Sequence, residues 1–169
     1  MDQVERLIKA YESRAYLSVA SKLGVLIDCE QLRHPRIVPF LVRVLEDRRE
    51  FTAVRIYALK QLRNGRPSPA DRPLVAAAML RIISDGPSSD LRLQASLALA
   101  EFTDIPGVPT RLCDVALDSD EPIDLRYSAF TSLQRAGATP ECVALLRELA
   151  MDGLLGPSAR SLLSLWRLE

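Results

Sequence analysis

The sequence lacks a net charge, because 22 Lys and Arg residues balance 22 Asp and Glu residues over 169 positions. A protein that binds nucleic acid or an anionic membrane through its overall field carries an excess of basic residues, so DNA binding here would need a local basic patch. Aromatic residues make up only 5% of the chain, and β-branched alternation is scarce, which disfavours a β-sheet protein. The hydrophobic fraction of 48% argues against disorder and predicts a buried core.

Cysteine and histidine are also scarce. Cys29, Cys113 and Cys142 are odd in number and far apart, which fits neither a disulfide framework nor a paired-cysteine metal or redox motif. The single histidine, His34, precedes a predicted helix and has no recognisable partners for a metal site or a nucleophilic pair. We therefore expect no metal, no cofactor and no catalytic residue. Without a signal peptide or an apolar run of roughly 20 residues, a cytoplasmic location without membrane contact is expected.

A string of the form apolar–Arg–x–x–Ala–x–x–x–Leu occurs three times. The copies are VRIYALKQL at 54–62, LRLQASLAL at 91–99 and LRYSAFTSL at 125–133. Their alanines, Ala58, Ala95 and Ala129, therefore recur at a nearly constant spacing. A weaker fourth copy, PSARSLLSL, places Ser161 in the alanine column and Ser158 where the arginine is expected. This periodicity predicts a stack of repeated structural units with a degraded terminal copy.

A second marker with nearly the same period is a proline before each of four apolar runs. These residues are Pro35, Pro73, Pro106 and Pro140. Because proline is tolerated in the first turn of a helix, each is predicted to open the first helix of a unit, and the Arg–Ala string forms the second. The turn between them is polar; the acidic turn DSDEPID, at 118–124, lacks the features of an EF-hand loop and is interpreted as a solvated capping turn.

The N-terminal segment lacks a recognisable Arg–Ala string. It carries two helical apolar stripes, one from Val4 to Tyr11 and one from Tyr16 to Ile27. We predict a divergent capping helix pair at 1–33. The four repeats are then assigned to 34–67, 68–104, 105–138 and 139–169, within a single continuous domain.

These repeats resemble those of the HEAT family, particularly the short bacterial HEAT-like repeats, over residues 35–167. An aspartate precedes each string, at Asp47, Asp85, Asp118 or Asp120, and Asp152. The resemblance implies an all-α fold, a right-handed α-solenoid (superhelix) of about five antiparallel helix pairs. It also implies that Arg55, Arg92 and Arg126 form a structural ladder by bonding the aspartate of an intra-repeat turn.

In the HEAT family the second helices line the concave side of the solenoid. The variable residues of these helices are therefore the hypothetical partner-binding surface: Tyr57, Lys60, Arg63, Gln94, Tyr127, Phe130, Thr131, Gln134 and Trp166. Exposed aromatic residues on such a surface are typical of protein-binding hot spots. The leading hypothesis is a non-catalytic protein–protein interaction module or scaffold whose partner is another protein.

The resemblance to HEAT-like folds also leaves two alternative functions, each related to a class of enzyme. One is nucleic-acid binding of the alkylpurine DNA glycosylase type, which the zero net charge disfavours. The other is an accessory factor of the phycobilin lyase type, for which the sequence offers only the shared repeat.

Overall fold

The computed structural model describes residues 1–13, 18–65, 67–86 and 88–168. Within these ranges the chain forms ten α-helices and no β-strand, which confirms the all-α prediction. The helices are α1 Gln3–Ser13, α2 Val19–Glu30, α3 Ile37–Glu46, α4 Thr52–Asn64, α5 Arg72–Asp85, α6 Ser89–Ala98, α7 Val108–Leu117, α8 Ile123–Gln134, α9 Pro140–Leu149 and α10 Gly156–Leu165. A 3₁₀ turn, Leu99–Phe102, follows α6. Tyr16, which opens the second predicted N-terminal stripe, lies outside the described residues.

The chain divides into two compact units, Met1–Ala78 and Met79–Glu169. In the first unit α1 packs against α2, α3 packs against α4, and α2 also contacts α4. In the second unit α7 packs against α8 and α9 against α10, while α6 contacts α8 and α7 contacts α9. Within each unit, therefore, helix pairs stack with second helix against second helix. The right-handed superhelix and the single continuous domain stay predictions.

Local sequence signals explain several helix starts. Ser18, Ser88 and Thr139 each accept a hydrogen bond from a backbone N–H in the first turn of α2, α6 and α9 respectively, which satisfies a donor that has no partner inside the helix. Pro140 is the first residue of α9, as predicted. Pro35 instead lies in the loop before α3, so that proline precedes its helix and does not open it.

The repeated alanines and leucines lie in the core. Ala58, Ala95 and Ala129 have no exposed surface, and Leu62 and Leu133 are at most 2% exposed. A methyl side chain at the centre of the second helix lets neighbouring helices approach closely, and the leucine fills the space beside it. Among the described residues, no helix has both the length and the apolar character needed to cross a membrane.

Candidate binding groove and the predicted site residues

The three predicted ladder arginines each link the two helices of one repeat. Their Nε atoms donate to a main-chain carbonyl at or near the end of the preceding first helix. The acceptors are Leu45 for Arg55 at 2.7 Å, Ile83 for Arg92 at 2.6 Å and Ala116 for Arg126 at 2.8 Å. These carbonyls belong to the last turn of a helix, where no N–H group of the same helix is available to donate to them. The arginine therefore holds the repeat together through its backbone.

Two of these arginines also donate a hydrogen bond to an acid in the turn between the two helices of the next repeat. Arg126 Nη2 donates to Asp152 at 2.8 Å, and Arg92 Nη2 donates to Glu121 at 2.5 Å. The second contact corrects the prediction, which named Asp118 or Asp120. The Oδ1 atom of Asp118 instead accepts the N–H of Asp120 at 2.9 Å and so shapes the turn itself. Glu121, assigned above to a solvated turn, is the actual partner.

The fourth repeat also has an arginine that links its two helices, although the sequence pattern predicts Ser158 at that position. Arg160 Nη1 donates to the carbonyl of Ala150 at 2.5 Å, which is the same link between a first and a second helix. The position equivalent to Arg126 is therefore Arg160 and not Ser158. The prediction was wrong because it aligned Ser161 with the repeated alanine, whereas the buried side chain in that column is Leu163, 5% exposed.

The N-terminal helix pair uses a lysine at the corresponding place. Lys22 of α2 lies one repeat before Arg55, and its Nζ donates to both carboxylate oxygens of Glu50, at 2.7 and 2.6 Å. Tyr11 of α1 also donates its hydroxyl to Glu50. Burial raises the pKa of Glu50, but the hydrogen bonds from Lys22, Tyr11 and the backbone of Phe51 outweigh it, so that the pKa lies below its ordinary value. Sequence reasoning missed this site because it searched for arginine.

A groove of about 1110 Å³ lies in the first unit. It is bounded by the end of α2 and the following loop, the start of α3, the second half of α4, and the residues before α5. Two predicted partner-binding residues, Tyr57 and Lys60, line it together with Arg33 and His34. Four chain segments thus bring to one place residues that are far apart in sequence.

The two carboxylates of the groove are engaged by internal donors. Tyr57 donates its hydroxyl to Glu30, a contact that raises the pKa of the tyrosine. Gln61 Nε2 donates to the carbonyl of Leu26 at 2.5 Å and to Glu30 at 3.3 Å. Asp71 accepts the hydroxyl of Ser68 at 2.8 Å. The acids therefore serve mainly to fix the groove walls.

The basic residues of the groove are in a different situation. Lys60 and Arg33 are exposed, and neither forms an ion pair with any residue that the structure describes. His34 accepts the N–H of Arg36 on Nδ1 at 3.2 Å, and its Nε2 lies 3.8 Å from Asp2. Glu30 and Asp71 form no ion pair in the described part of the chain either, so the charged side chains of the groove are of both signs.

The other predicted surface residues are distributed unevenly. Arg63 is half-buried on α4 and does not line the groove. In the second unit, Tyr127 and Thr131 are exposed one helical turn apart on α8, and Tyr127 keeps 41% of its surface. Phe130 is only 4% exposed and is corrected to a core residue, because α8 packs against both α6 and α7. Half-buried positions are Gln94, Gln134 and Trp166.

The three cysteines are free and buried. Burial is the main cause that raises the pKa of Cys29 and of Cys142 to about 11 and that of Cys113 to about 12. A thiol with such a pKa is almost wholly protonated at neutral pH, and the thiol form is a poor nucleophile. Cys29 borders the groove, but its role there is packing.

The described residues define an all-α protein whose helix pairs are fixed by a periodic row of cations and which carries a mixed polar and apolar groove in its first unit. No protein-family model matches the chain, and no curated protein matches it.

Proposed function

We propose that the chain is a non-catalytic HEAT-type interaction module or scaffold, cytoplasmic and built as a right-handed α-solenoid, that binds a segment of another protein. The observation that carries this proposal is the groove of the first unit. It exposes Lys60 and presents Tyr57 on a scaffold of packed helices. Rigid elements that hold an aromatic and a charged side chain at a concave surface are typical of protein recognition.

The regularity of the cation row supports the HEAT-type repeat. Its members, Lys22, Arg55, Arg92, Arg126 and Arg160, recur once in each helix pair. Four of them donate to a carbonyl nine or ten residues earlier, and the lysine donates to Glu50 in the turn between the helices of the next pair. One contact that recurs at a nearly constant period is what a repeat architecture requires.

The same row weighs against the nucleic-acid alternative. Arg55 and Arg126 are 3% and 6% exposed, and Arg92 is bonded to both a carbonyl and Glu121. Side chains engaged in this way cannot form the continuous basic stripe that phosphate binding needs. No contact among the described residues favours the lyase-type alternative.

Site-specific photo-crosslinking tests the proposal. A photoreactive amino acid replaces Lys60 in the groove or, as a control, Arg49, which is exposed and lies outside it. We expect position 60, and not position 49, to capture one protein segment reproducibly. The purified partner should then bind the unmodified chain in solution, and Tyr57→Ala should weaken that binding about tenfold. Crosslinks to DNA only, or equal capture at both positions, would contradict the proposal.

A further inference from the structure

We infer that the exposed face of α6 and α8 in the second unit docks an amphipathic helix of a partner protein that carries Lys or Arg beside its apolar residues. This docking face consists of two rows of side chains, none of which lines the groove of the first unit. Its members are Leu93 and Leu97 on α6, and Ile123, Tyr127 and Thr131 on α8. The inference goes beyond the proposed function, because it adds a second binding surface and names the chemistry of its ligand.

The repeat itself aligns the two rows. Leu93 and Tyr127 each stand directly after an arginine of the cation row, and the next member of each row comes four residues later, about one helical turn along. Between the helices, the hydroxyl of Ser128 donates to that of Ser96 at 3.1 Å. Both serines are buried, so the two rows lie on the same side of the helix pair, on either side of a seam of small side chains.

Most side chains of the docking face are apolar, and the face is only partly covered. Ile123 is 62% exposed and Tyr127 41%, whereas Leu93 and Leu97 are half-buried and Thr131 is exposed. Two adjacent apolar rows with a shallow seam between them accept the apolar face of a third helix, whose side chains recur every three or four residues. The row on α8 is about 12 Å long, which corresponds to a little over two turns of such a helix.

The charges around this face are unbalanced, unlike those of the groove. Over residues 89–102 and 118–135 every cation is an arginine with an acid as partner: Arg92 with Glu121, Arg126 with Asp152 and Arg135 with Glu101. Four acids of the same segments form no ion pair with any residue that the structure describes: Asp90, Asp118, Asp120 and Asp124. The partial positive charges at the starts of α6 and α8, about half a unit each, offset only about one of these negative charges.

The unpaired acids lie where the two rows begin. Asp90 is in the first turn of α6, Asp124 is in the first turn of α8, and Asp120 is in the turn just before α8. Arg160 bonds a carbonyl, but it belongs to α10 and to neither of these helices. An apolar helix face with Lys or Arg at one end is therefore the complement of this surface. Nucleic acid and anionic membranes are repelled by the same acids.

A displayed library of random octadecapeptides, selected on the full chain, tests the inference. We expect the enriched sequences to combine Lys or Arg with Leu, Ile, Phe or Met at helical spacing. Fluorescence anisotropy of the enriched peptides then compares the unmodified chain with variants. Ile123→Ser/Tyr127→Ser should bind about tenfold more weakly. Asp120→Asn/Asp124→Asn should bind about fivefold more weakly at low salt, and the difference should shrink as salt is added.

Matched control variants change positions outside the docking face. Asp28→Asn/Asp114→Asn removes two other exposed carboxylates and should bind the peptides within about twofold of the unmodified chain. Tyr57→Ala, in the groove of the first unit, should leave this binding unchanged. Circular dichroism and the Tm of every variant establish that it is folded.

Each outcome supports or overturns the inference. Enriched peptides that are acidic or uncharged, no enrichment at all, or binding that Ile123→Ser/Tyr127→Ser leaves intact would overturn it, and crosslinking at position 60 would still decide the proposed function. A dimer of the chain alone that Ile123→Ser/Tyr127→Ser dissociates in analytical ultracentrifugation would assign the face to a second copy and also overturn it. Basic peptides that bind this face, together with no specific capture at position 60, would overturn only the role of the groove.

Discussion

The seam between second helices is built differently in the two units. In the first unit α2 and α4 are joined by long side chains, since Gln61 reaches the carbonyl of Leu26 at 2.5 Å and Tyr57 reaches Glu30. In the second unit α6 and α8 are joined by serines: Ser128 and Ser96 hydroxyls lie 3.1 Å apart, and Ser132 donates to the carbonyl of Ser96 at 2.7 Å. The carbonyls of Leu26 and Ser96 occupy equivalent positions in the two repeats. The donor is the long side chain of Gln61 in one unit and the short side chain of Ser132 in the other.

The groove lies at the seam that is joined by the longer side chains. Small hydroxyl side chains let α6 and α8 approach closely, and all three serines are buried. Tyr57 and Gln61, the longer side chains that join α2 and α4, both line the groove.

The Lys22–Glu50 contact of the first unit is more buried than the Arg92–Glu121 contact of the second. The side chains of Lys22 and Glu50 are 4% and 3% exposed, whereas those of Arg92 and Glu121 are 19% and 20% exposed. A buried charge that loses its partner is costly, because no water replaces the lost contact. A contact that is partly solvated is screened and loses less.

The largest expected effect comes from this contrast. Glu50→Gln leaves the ammonium of Lys22 buried without a counter-charge and should lower the free energy of unfolding by about 3 kcal/mol. Glu121→Gln makes the same chemical change in the second unit and should cost about 1 kcal/mol or less. Urea unfolding at neutral pH, followed by circular dichroism, measures both variants.

A double variant separates the charge effect from packing. Lys22→Met/Glu50→Gln removes both charges and should recover most of the stability that Glu50→Gln loses. If Glu50→Gln and Glu121→Gln lower the free energy of unfolding equally, burial does not determine the cost of losing the acid. A double variant as unstable as Glu50→Gln would show that the unpaired ammonium of Lys22 does not cause the loss.

The next-largest expected effect concerns the contact between α6 and α8, which is formed by serines. Tyr57 and Ser128 each stand directly before the repeated alanine, so exchanging the residue types tests the seam itself. Ser128→Tyr forces a large ring into a buried position and should cost about 1–3 kcal/mol. Tyr57→Ser removes a half-buried side chain and should cost less than Ser128→Tyr does. Comparable Tm losses for the two would mean that the seams are equally tight.

Much of the fold could be predicted because its signals are local or periodic. The all-α class, the burial of the repeated alanines and most of the cation row could be predicted from a sequence string that recurs at a nearly fixed period. Arg160 was misaligned because repeat lengths vary by a few residues, which moves the register within a degraded copy. Lys22 was missed because the repeated string contains an arginine at this position. Here a lysine takes its place, and Tyr11 donates a further hydrogen bond to the same acid, Glu50.

The candidate site was less accessible from sequence. Tyr57 and Lys60 were found because they vary between repeats on the predicted binding face. Arg33, Glu30 and Asp71 were not, because their proximity to α4 depends on how loops and helices pack, which no local pattern records. Phe130 was wrongly assigned to the surface for the same reason, since only packing shows which face of α8 is covered.

The smallest expected effect is a pH dependence of the stability lost on replacing Asp152, an acid that is hydrogen-bonded within its turn. Backbone N–H donation by Leu155, assisted by Leu154 and the guanidinium of Arg126, holds the pKa of Asp152 below its ordinary value of 3.8. A folded-state pKa below the unfolded value stabilises the folded protein above that unfolded value, and this contribution is lost as the pH falls through the folded pKa. Asp152→Asn should therefore cost about 1 kcal/mol at about pH 6.

The cost of Asp152→Asn should begin to shrink as the pH falls through 3.8, the ordinary pKa, and should approach zero only below the lowered pKa of the folded state, where the wild-type carboxylate is protonated as well. Asp120→Asn, which changes an exposed turn residue of the preceding repeat, is the matched control and should change the free energy of unfolding by less than about 0.5 kcal/mol at about pH 6. Urea unfolding at a series of pH values gives both curves. A difference between Asp152→Asn and the unmodified chain that stays constant with pH would mean that the side-chain amide and carboxylate are held equally well, and that the charge of Asp152 does not stabilise this turn.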